Sequence, residues 1–291
     1  MSRSNSVSVR PVGAYQVLAL LDAAGTFFLP ATAAFPEATE ADWVRARQWD
    51  PGAFGPDGAW RLPFRCFAVR RADGRTILVD AGVGPENSPA AAWAPVPGRL
   101  PAELAAAGVD PDDVDTVVLT HLHSDHAGWS VDATGRPMFR NARYVIQQDE
   151  IAALEADGQE AMLEHVVRPL RATGQLDPVR GRVDLVDGQP DSGRITVVPT
   201  PGHTPGHQSV LVEDGSQRMV VTGDVLVHAV QVVAPQVAYR YEADAETARR
   251  TRQEVLARAR AERALLATAH LTEPFVAVAV EPSAEPEPAG D

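Results

Sequence analysis

The chain has 291 residues, 45% of them hydrophobic and 22% charged, which is enough apolar material for one large domain or two modest ones. Its formal net charge of −13 argues against nucleic acid or an anionic membrane as a partner, because basic protein surface recruits such partners. Every residue with a permanent positive charge is an arginine, so chemistry through a lysine Schiff base is excluded.

Residues 1–60 carry phenylalanines and tryptophans among prolines and glycines, with no clear helical or strand period. We interpret this range as an N-terminal arm or lid packed on the core. Its aromatic side chains fit the wall of a pocket for an apolar substrate, the interface of a homodimer, or ordinary core. The sequence leaves these three interpretations open.

The rest of the chain alternates between strand-like and helix-like segments. Short runs rich in β-branched residues predict strands at 76–80, 116–120, 143–147, 195–200, 209–213, 218–224 and 264–270. Periodic apolar positions and capping residues predict helices at 100–107, 149–156, 160–172 and 245–262. This alternation indicates an α/β fold, with two sheets covered by helices in one domain at residues 61–280.

The single cysteine and the two chain ends bear on where the protein works. Cys66 cannot form an internal disulfide and lies in the alternating run "FRCFAVR", which predicts a strand with a structural cysteine. The N-terminal sequence lacks the pattern of a secretory signal, and no run approaches 18 apolar residues. We expect a soluble cytoplasmic protein, with a disordered, proline-rich and acidic tail at residues 281–291.

The segment "THLHSDHAGW", residues 120–129, holds three histidines and an aspartate within six positions directly after a predicted buried strand. Alternate side chains of an extended chain share a face, so His121 and His123 converge on one point. Asp125 and His126 enter a turn and diverge toward a second point. Imidazole and carboxylate together are the ligands of zinc and its neighbours, so this spacing predicts two metal ions.

Three further candidates for metal ligands lie where other predicted strands give way to loops. His203 follows "ITVVPTPG", Asp224 closes "RMVVTGD", and His270 closes "ALLATAH". Side chains at strand ends are held rigidly by the sheet behind them, which suits the ligands of a metal ion.

The ordered set "LVDAG", "HLHSDH", "PGHTPGH", "TGD" and "AH", spread over residues 62–275, resembles the five signature motifs of the metallo-β-lactamase fold hydrolases. The resemblance implies a four-layer αββα sandwich with a binuclear metal centre at one edge. It assigns His121, His123 and His203 to the first ion, Asp125, His126 and His270 to the second, and Asp224 to both. Asp80 would hydrogen-bond a ligand or fix its loop.

A centre of this kind predicts hydrolysis, because divalent ions lower the pKa of bound water to about 7. We expect a bridging hydroxide to attack a lactone, ester or phosphoryl centre, with Asp125 and Asp224 fixing the hydroxide and the two ions, which we expect to be zinc. The partner would be a small apolar substrate.

Within the superfamily, the chain is most similar to the N-acyl homoserine lactone lactonases and the methyl parathion hydrolase group. Small lactonases place a tyrosine shortly after the bridging aspartate, whereas Val227 and His228 occupy that region in this chain. This departure favours the methyl parathion hydrolase side. His228 is a candidate for polarising a substrate carbonyl, protonating a leaving group or supporting the ligand loop, or it is an ordinary histidine at a strand end.

Other assignments stay open at this stage. His207 fits a supporting or structural role behind the ligands, and His165 fits packing or surface. Two alternative activities are a mononuclear iron dioxygenase that oxidises persulfides through His121, His203 and Asp224, and a β-lactamase or thioesterase type of hydrolase.

Overall fold

The computed structural model describes residues 7–186 and 193–278. The disordered tail expected at residues 281–291 lies outside the described residues.

Within the described residues, the first sheet has seven strands that follow one another in chain order. The early strands pair antiparallel, and the last four pair parallel. The strands are β1 (Ser8–Val12), β2 (Tyr15–Thr26), β3 (Arg61–Arg70), β4 (Thr76–Val79), β5 (Val114–Val118), β6 (Arg143–Gln147) and β7 (Leu176–Val179).

The second sheet has six strands in the described residues, in the order β13-β12-β11-β10-β9-β8. Its strands are β8 (Val183–Val186), β9 (Arg194–Pro199), β10 (Gln208–Asp214), β11 (Gln217–Val221), β12 (Leu265–Ala267) and β13 (Phe275–Ala277). β11 and β12 are parallel, and β9 runs in the same direction because both β9 and β11 are antiparallel to β10.

The helices occupy the connections between strands. They are α1 (Ala31–Ala34), α2 (Glu40–Trp49), α3 (Leu100–Ala106), α4 (Ser124–Ala127), α5 (Gln148–Ala156), α6 (Glu160–Met162), α7 (Arg168–Ala172), α8 (Ala229–Val233) and α9 (Ala245–Glu262). A π-helical turn, Leu163–Val167, joins α6 to α7. Among the residues described, none of these helices has the length and apolar character needed to cross a membrane.

The two sheets pack face to face and each carries helices on its outer side. The central core joins β2 to β6 of the first sheet to β9 to β12 of the second, through residues such as Val17, Phe67, Ile77, Val197, Val210 and Met219. The outer face of the first sheet packs on α3, α5 and the π-helical turn, and that of the second sheet packs on α9. The predicted four-layer α/β sandwich is confirmed.

The structure divides residues 1–60 differently from the sequence interpretation. Residues 8–26 are not an appendage, because β1 and β2 are part of the first sheet and β2 pairs along its length with β3. Residues 17–20 are all buried, so this strand lacks the simple alternation that marks a half-buried strand in sequence. Only residues 27–60, with α1 and α2, form a helical segment that packs on the core. The limits of the domain stay a prediction.

Candidate metal centre

Eight of the predicted site residues meet at one edge of the sandwich, just beyond the carboxyl ends of five strands. Parallel strands deliver their following residues to the same edge, and both sheets do so on this side. The residues are Asp80 after β4, His121, His123, Asp125 and His126 after β5, His203 after β9, Asp224 after β11, and His270 after β12.

Four of these side chains form a first group, namely His121, His123, His203 and Asp224, whose donor atoms lie within 4.8 Å of one another. The Nδ1 atom of His123 lies 2.9 Å from Nε2 of His121 and 3.0 Å from Nε2 of His203. Oδ2 of Asp224 lies 3.3 Å from Nε2 of His203.

A second group consists of Asp125, His126 and His270, again within 4.8 Å. Nε2 of His126 lies 3.2 Å from Nε2 of His270 and 3.4 Å from Oδ2 of Asp125. Oδ1 of Asp224 lies 3.2 Å from His126 and 3.1 Å from His270, so one carboxylate turns one oxygen to each group. This is the position that the sequence analysis assigns to a bridging ligand.

Hydrogen bonds behind the histidines fix which ring nitrogen faces the centre. Asp80 accepts hydrogen bonds from the Thr120 hydroxyl (3.0 Å) and from Nδ1 of His126 (2.9 Å). Because its proton goes to Asp80, the Thr120 hydroxyl accepts from Nδ1 of His121 at 3.1 Å. Nδ1 of His270 donates to the carbonyl of Pro63 at 2.8 Å. The Nε2 atoms of all three histidines therefore present lone pairs to the centre.

This arrangement fits metal ions. The Nε2 atoms of His126 and His270 face each other at 3.2 Å, and when both rings are neutral their lone pairs repel one another unless a cation lies between them. Oδ1 of Asp224 is buried among these acceptors without a hydrogen-bond donor. Ligand atoms of a tetrahedral zinc site are about 3.3 Å apart for bond lengths of about 2.0 Å, close to the spacings seen in both groups. The two groups form a cluster suited to divalent metal ions.

Burial also keeps His121 and His203 in the neutral form that metal binding requires, whereas at His126 and His270 the nearby carboxylates outweigh burial and raise the pKa of the ring. Burial lowers the pKa of His121 and of His203 well below the ordinary value, and neighbouring imidazoles oppose protonation further. The lone pairs on these rings are therefore available across the neutral pH range.

His207 lies behind Asp224 and supports it. Its Nδ1 donates to the carbonyl of Thr200 at 3.0 Å, and its Nε2 accepts from the backbone N–H of Asp224 at 2.9 Å. Burial lowers the pKa of His207 to about 4, so the ring is neutral and can accept this hydrogen bond. Gly223, with φ of +51°, allows the tight turn that brings the two residues together.

His228 is separate from the cluster. It is fully buried among the rings of Phe35, Trp43, Phe54 and Trp60 at 5.2 to 5.6 Å, and its Nδ1 accepts from the backbone N–H of Val230 to cap α8. Burial lowers its pKa to about 3, so the ring is neutral and is not a general acid at neutral pH. This position does not support the catalytic role considered for His228.

A cavity of about 530 Å³ opens beside the two groups. Ligand residues form part of its lining, together with aliphatic side chains from α5 and α6. The lining also includes an aromatic wall formed by Phe27, Phe28, Trp93, Tyr239 and Tyr241. Two of the predicted arm residues therefore face the cavity, whereas Trp43 packs in the core beneath it.

For two residues of this site, nothing in the neighbouring sequence predicts that they lie there. Tyr239 follows Asp224 by 15 residues, and its ring stacks on His203 at 6.0 Å with an interplanar angle of 9°. Glu150 accepts from the backbone N–H of Leu122 at 2.9 Å and of Gly206 at 3.0 Å, which ties the two histidine-bearing loops together.

His165 packs in the π-helical turn, where Nε2 lies 3.0 Å from the carbonyl oxygen of Gly128. This position fits the packing or surface role expected from the sequence. The persulfide dioxygenase alternative needs only His121, His203 and Asp224, whereas the structure brings the second group together as well.

Known proteins with sequences similar to this chain include several that are named N-acyl homoserine lactonases. An N-acyl homoserine lactonase of Bacillus cereus is 30% identical over 179 residues, which cover 57% of this chain and 64% of that protein. The lactonase AttM of Rhizobium radiobacter is 34% identical over 124 residues, 42% of this chain and 45% of AttM. The chain thus spans less than two thirds of the length of these relatives.

Solved structures agree in fold. The hydrolase AbOPH of the beta lactamase superfamily superposes with a TM-score of 0.77 at 25% identity, covering 96% of both chains. AidC, a dizinc quorum-quenching lactonase in complex with a product, superposes with a TM-score of 0.72 at 21% identity, covering 92% of this chain and 91% of AidC. The family model described as "Metallo-beta-lactamase superfamily" matches residues 65–270, and the chain belongs to this superfamily, as its motifs predict.

Proposed function

We propose that the protein is a binuclear metal-dependent hydrolase that opens a lactone, or cleaves an ester or phosphotriester, of a small apolar substrate. One observation carries the proposal. The two oxygens of Asp224 face two separate groups of ligand atoms at the bottom of a cavity. A carboxylate in that position suits two ions that share one ligand.

The residues present indicate which ions would bind and which side chains would hold them. His121, His123 and His203 would hold one ion, Asp125, His126 and His270 the other, and Asp224 both. Imidazole nitrogen and carboxylate oxygen favour zinc among the common divalent ions. Ions bound there supply Lewis acidity and lower the pKa of water to about 7, so that hydroxide is present at neutral pH.

The protein's own groups would orient this chemistry. Asp80, Thr120 and the Pro63 carbonyl hold the ligand rings with their lone pairs inward, and His207 holds the backbone of Asp224. Pre-set ligands of this kind need no reorganisation during the reaction. Asp125 and Asp224 are the carboxylates that line the cavity beside both groups, and they are the proposed catalytic residues.

The cavity lining supports an uncharged and partly apolar substrate. Among the described residues that line it there is no arginine, so a carboxylate or phosphate on the substrate would find no cationic side chain. The aromatic wall offers apolar area for an acyl chain or an aryl group. The relatives named N-acyl homoserine lactonases support testing lactones first. Cytoplasmic location and a homodimer remain predictions.

The test is a hydrolysis panel of lactones, aryl esters and phosphotriesters on protein whose metal content has been measured. We expect about two ions per chain, activity with at least one neutral substrate class, and loss of that activity after chelation. Asp224→Ala serves as the inactive variant. Asp113→Ala is its matched control, because Asp113 is exposed and precedes β5, at the end of the strand away from the site. Full activity in metal-free protein would refute the proposal.

A further inference from the structure

His270 lies in an irregular segment between the end of β12 at Ala267 and the start of β13 at Phe275. Its ring must enter the second ligand group from a stretch of backbone that no sheet holds directly. Three residues of β3 on the other sheet contact this segment, and one of them, Phe64, packs edge-on against the His270 ring at 5.7 Å. Pro63 accepts the hydrogen bond from Nδ1 of His270, and Arg65 lies two residues further along the same strand.

The guanidinium group of Arg65 holds the backbone on both sides of His270. Its Nη1 donates to the carbonyl of Leu271 and more weakly, at 3.5 Å, to that of Ala269. Its Nη2 donates to the carbonyl of Thr272 at 2.6 Å. Carbonyls turned toward one point fix the orientation of the intervening peptide planes, and with them the direction in which the His270 side chain leaves the backbone.

The surroundings explain why an arginine stands at this position. The planar guanidinium group carries five N–H donors in a fixed fork, so it can satisfy several carbonyls at once, whereas a lysine is a compact charge on a flexible stem. Asp50 accepts from the backbone N–H of Thr272 at 2.9 Å, and together with Glu273 it supplies negative charge near the guanidinium. The segment is thus held through both its carbonyls and one of its N–H groups.

We infer that Arg65 is the positioning residue for the second ligand group, because it holds residues 269–272 so that His270 can bind an ion together with Asp125 and His126. This inference rests on the proposed function. The ligands of the first group lie on segments with which Arg65 forms no hydrogen bond among the described residues, so loss of Arg65 should affect the two sites unequally.

The experiment compares the parent protein with Arg65→Gln, Arg65→Lys and the control Arg61→Gln. Arg61 lies on the same strand and is exposed. Each protein is loaded with zinc, and its metal content and two stepwise affinities are measured against a competing chelator. For Arg65→Gln we expect one of the two affinities to fall about 10- to 100-fold, as for other residues that orient metal ligands, with the other affinity unchanged. Arg65→Lys should recover part of the loss, and Arg61→Gln should match the parent.

The outcomes separate this inference from the proposed function. A parent protein that binds no zinc refutes the proposed function. A parent that binds two ions, with Arg65→Gln binding both at parent affinity, overturns the role of Arg65 and leaves the function standing. Since removal of a partly buried guanidinium also lowers stability, thermal unfolding of each variant is recorded in parallel. Equal weakening of both ions in Arg65→Lys would indicate a general structural effect and likewise overturn the inference.

Discussion

Asp80 offers the sharpest test of how the site is pre-set, because one carboxylate orients two of the proposed ligand histidines. It accepts hydrogen bonds from the backbone N–H of Thr120 at 2.7 Å, from the Thr120 hydroxyl at 3.0 Å and from Nδ1 of His126 at 2.9 Å. The natural perturbation is Asp80→Asn. Asp80 has a positive φ of 63°, a conformation that asparagine tolerates better than most residues, so the backbone should keep its shape.

The expected magnitude follows from those hydrogen bonds. An amide has one oxygen where the carboxylate has two, so either the Thr120 backbone N–H or the His126 Nδ1–H must face an NH₂ group. Leaving a buried donor unpaired costs about 1 to 3 kcal/mol. Part of that cost disappears if the His126 ring turns, which removes Nε2 from the second ligand group. We therefore expect the affinity of the second group for zinc to fall about 10- to 100-fold, equivalent to about 1.4 to 2.8 kcal/mol.

The assay is stepwise zinc titration against a chelator, combined with kcat/KM for the best substrate of the hydrolysis panel. Asp113→Asn makes the same chemical change at an exposed position before β5 and should behave as the parent. Asp80→Ala should be worse than Asp80→Asn by about 1 to 2 kcal/mol in stability, because alanine is strained at positive φ. Unchanged zinc affinity in Asp80→Asn would show that Asp80 does not orient His126.

Three further predictions concern stability and the cavity. Burial raises the pKa of Asp22 from its ordinary 3.8 to about 6, so its contribution to stability is fully present below pH 3.8 and is lost as pH rises through 6. As the pH rises from 5 to 8, ionisation of Asp22 should lower the free energy of unfolding by about 1.4 kcal/mol. Urea denaturation of the parent protein should show this decrease, and that of Asp22→Asn should lack it. The same pH dependence in both proteins would contradict the raised pKa of Asp22. Gly223→Ala would place a Cβ atom 2.7 Å from Nε2 of His207 at a φ of +51°. We therefore expect thermal unfolding to show a loss of about 1 to 3 kcal/mol in stability, and we expect the variant to bind less zinc. A variant with unchanged stability and zinc content would count against the tight turn. Phe28 is 55% exposed at the cavity, so Phe28→Ala should raise KM more for long-chain than for short-chain substrates and leave the stability unchanged. Trp43→Ala should instead lower the free energy of unfolding by about 3 to 5 kcal/mol, with no selectivity for chain length. A uniform change in KM for Phe28→Ala would show that Phe28 does not contact the substrate chain.

The sequence predicts the parts of this molecule that are encoded locally. The strands from β4 to β6 and β9 to β12 are short runs of β-branched residues, and the ligands follow them directly in compact motifs, so both were readable along the chain. β2 was missed because its buried stretch has no period to mark it. Arg65 reads as one more charged position in an alternating strand, and nothing near it reveals contacts with carbonyls more than 200 residues away. Tyr239 likewise gains its place beside His203 only when the loop after α8 folds back.

The site combines residues that are close in sequence with residues that only folding brings together. The atoms that would bind metal follow strands of both sheets, with His121 and His126 after β5 in one sheet and Asp224 and His270 after β11 and β12 in the other. The hydrogen bonds that turn His270 inward come from β3 of the opposite sheet, so the second ligand group forms only once the sheets have packed together. Ions held there would cross-link the two sheets. A ligand that binds only the packed state stabilises that state by its binding free energy. Metal binding at this site would therefore be coupled to packing of the central core, and a change that loosens the sheet packing is expected to weaken metal binding even far from any proposed ligand.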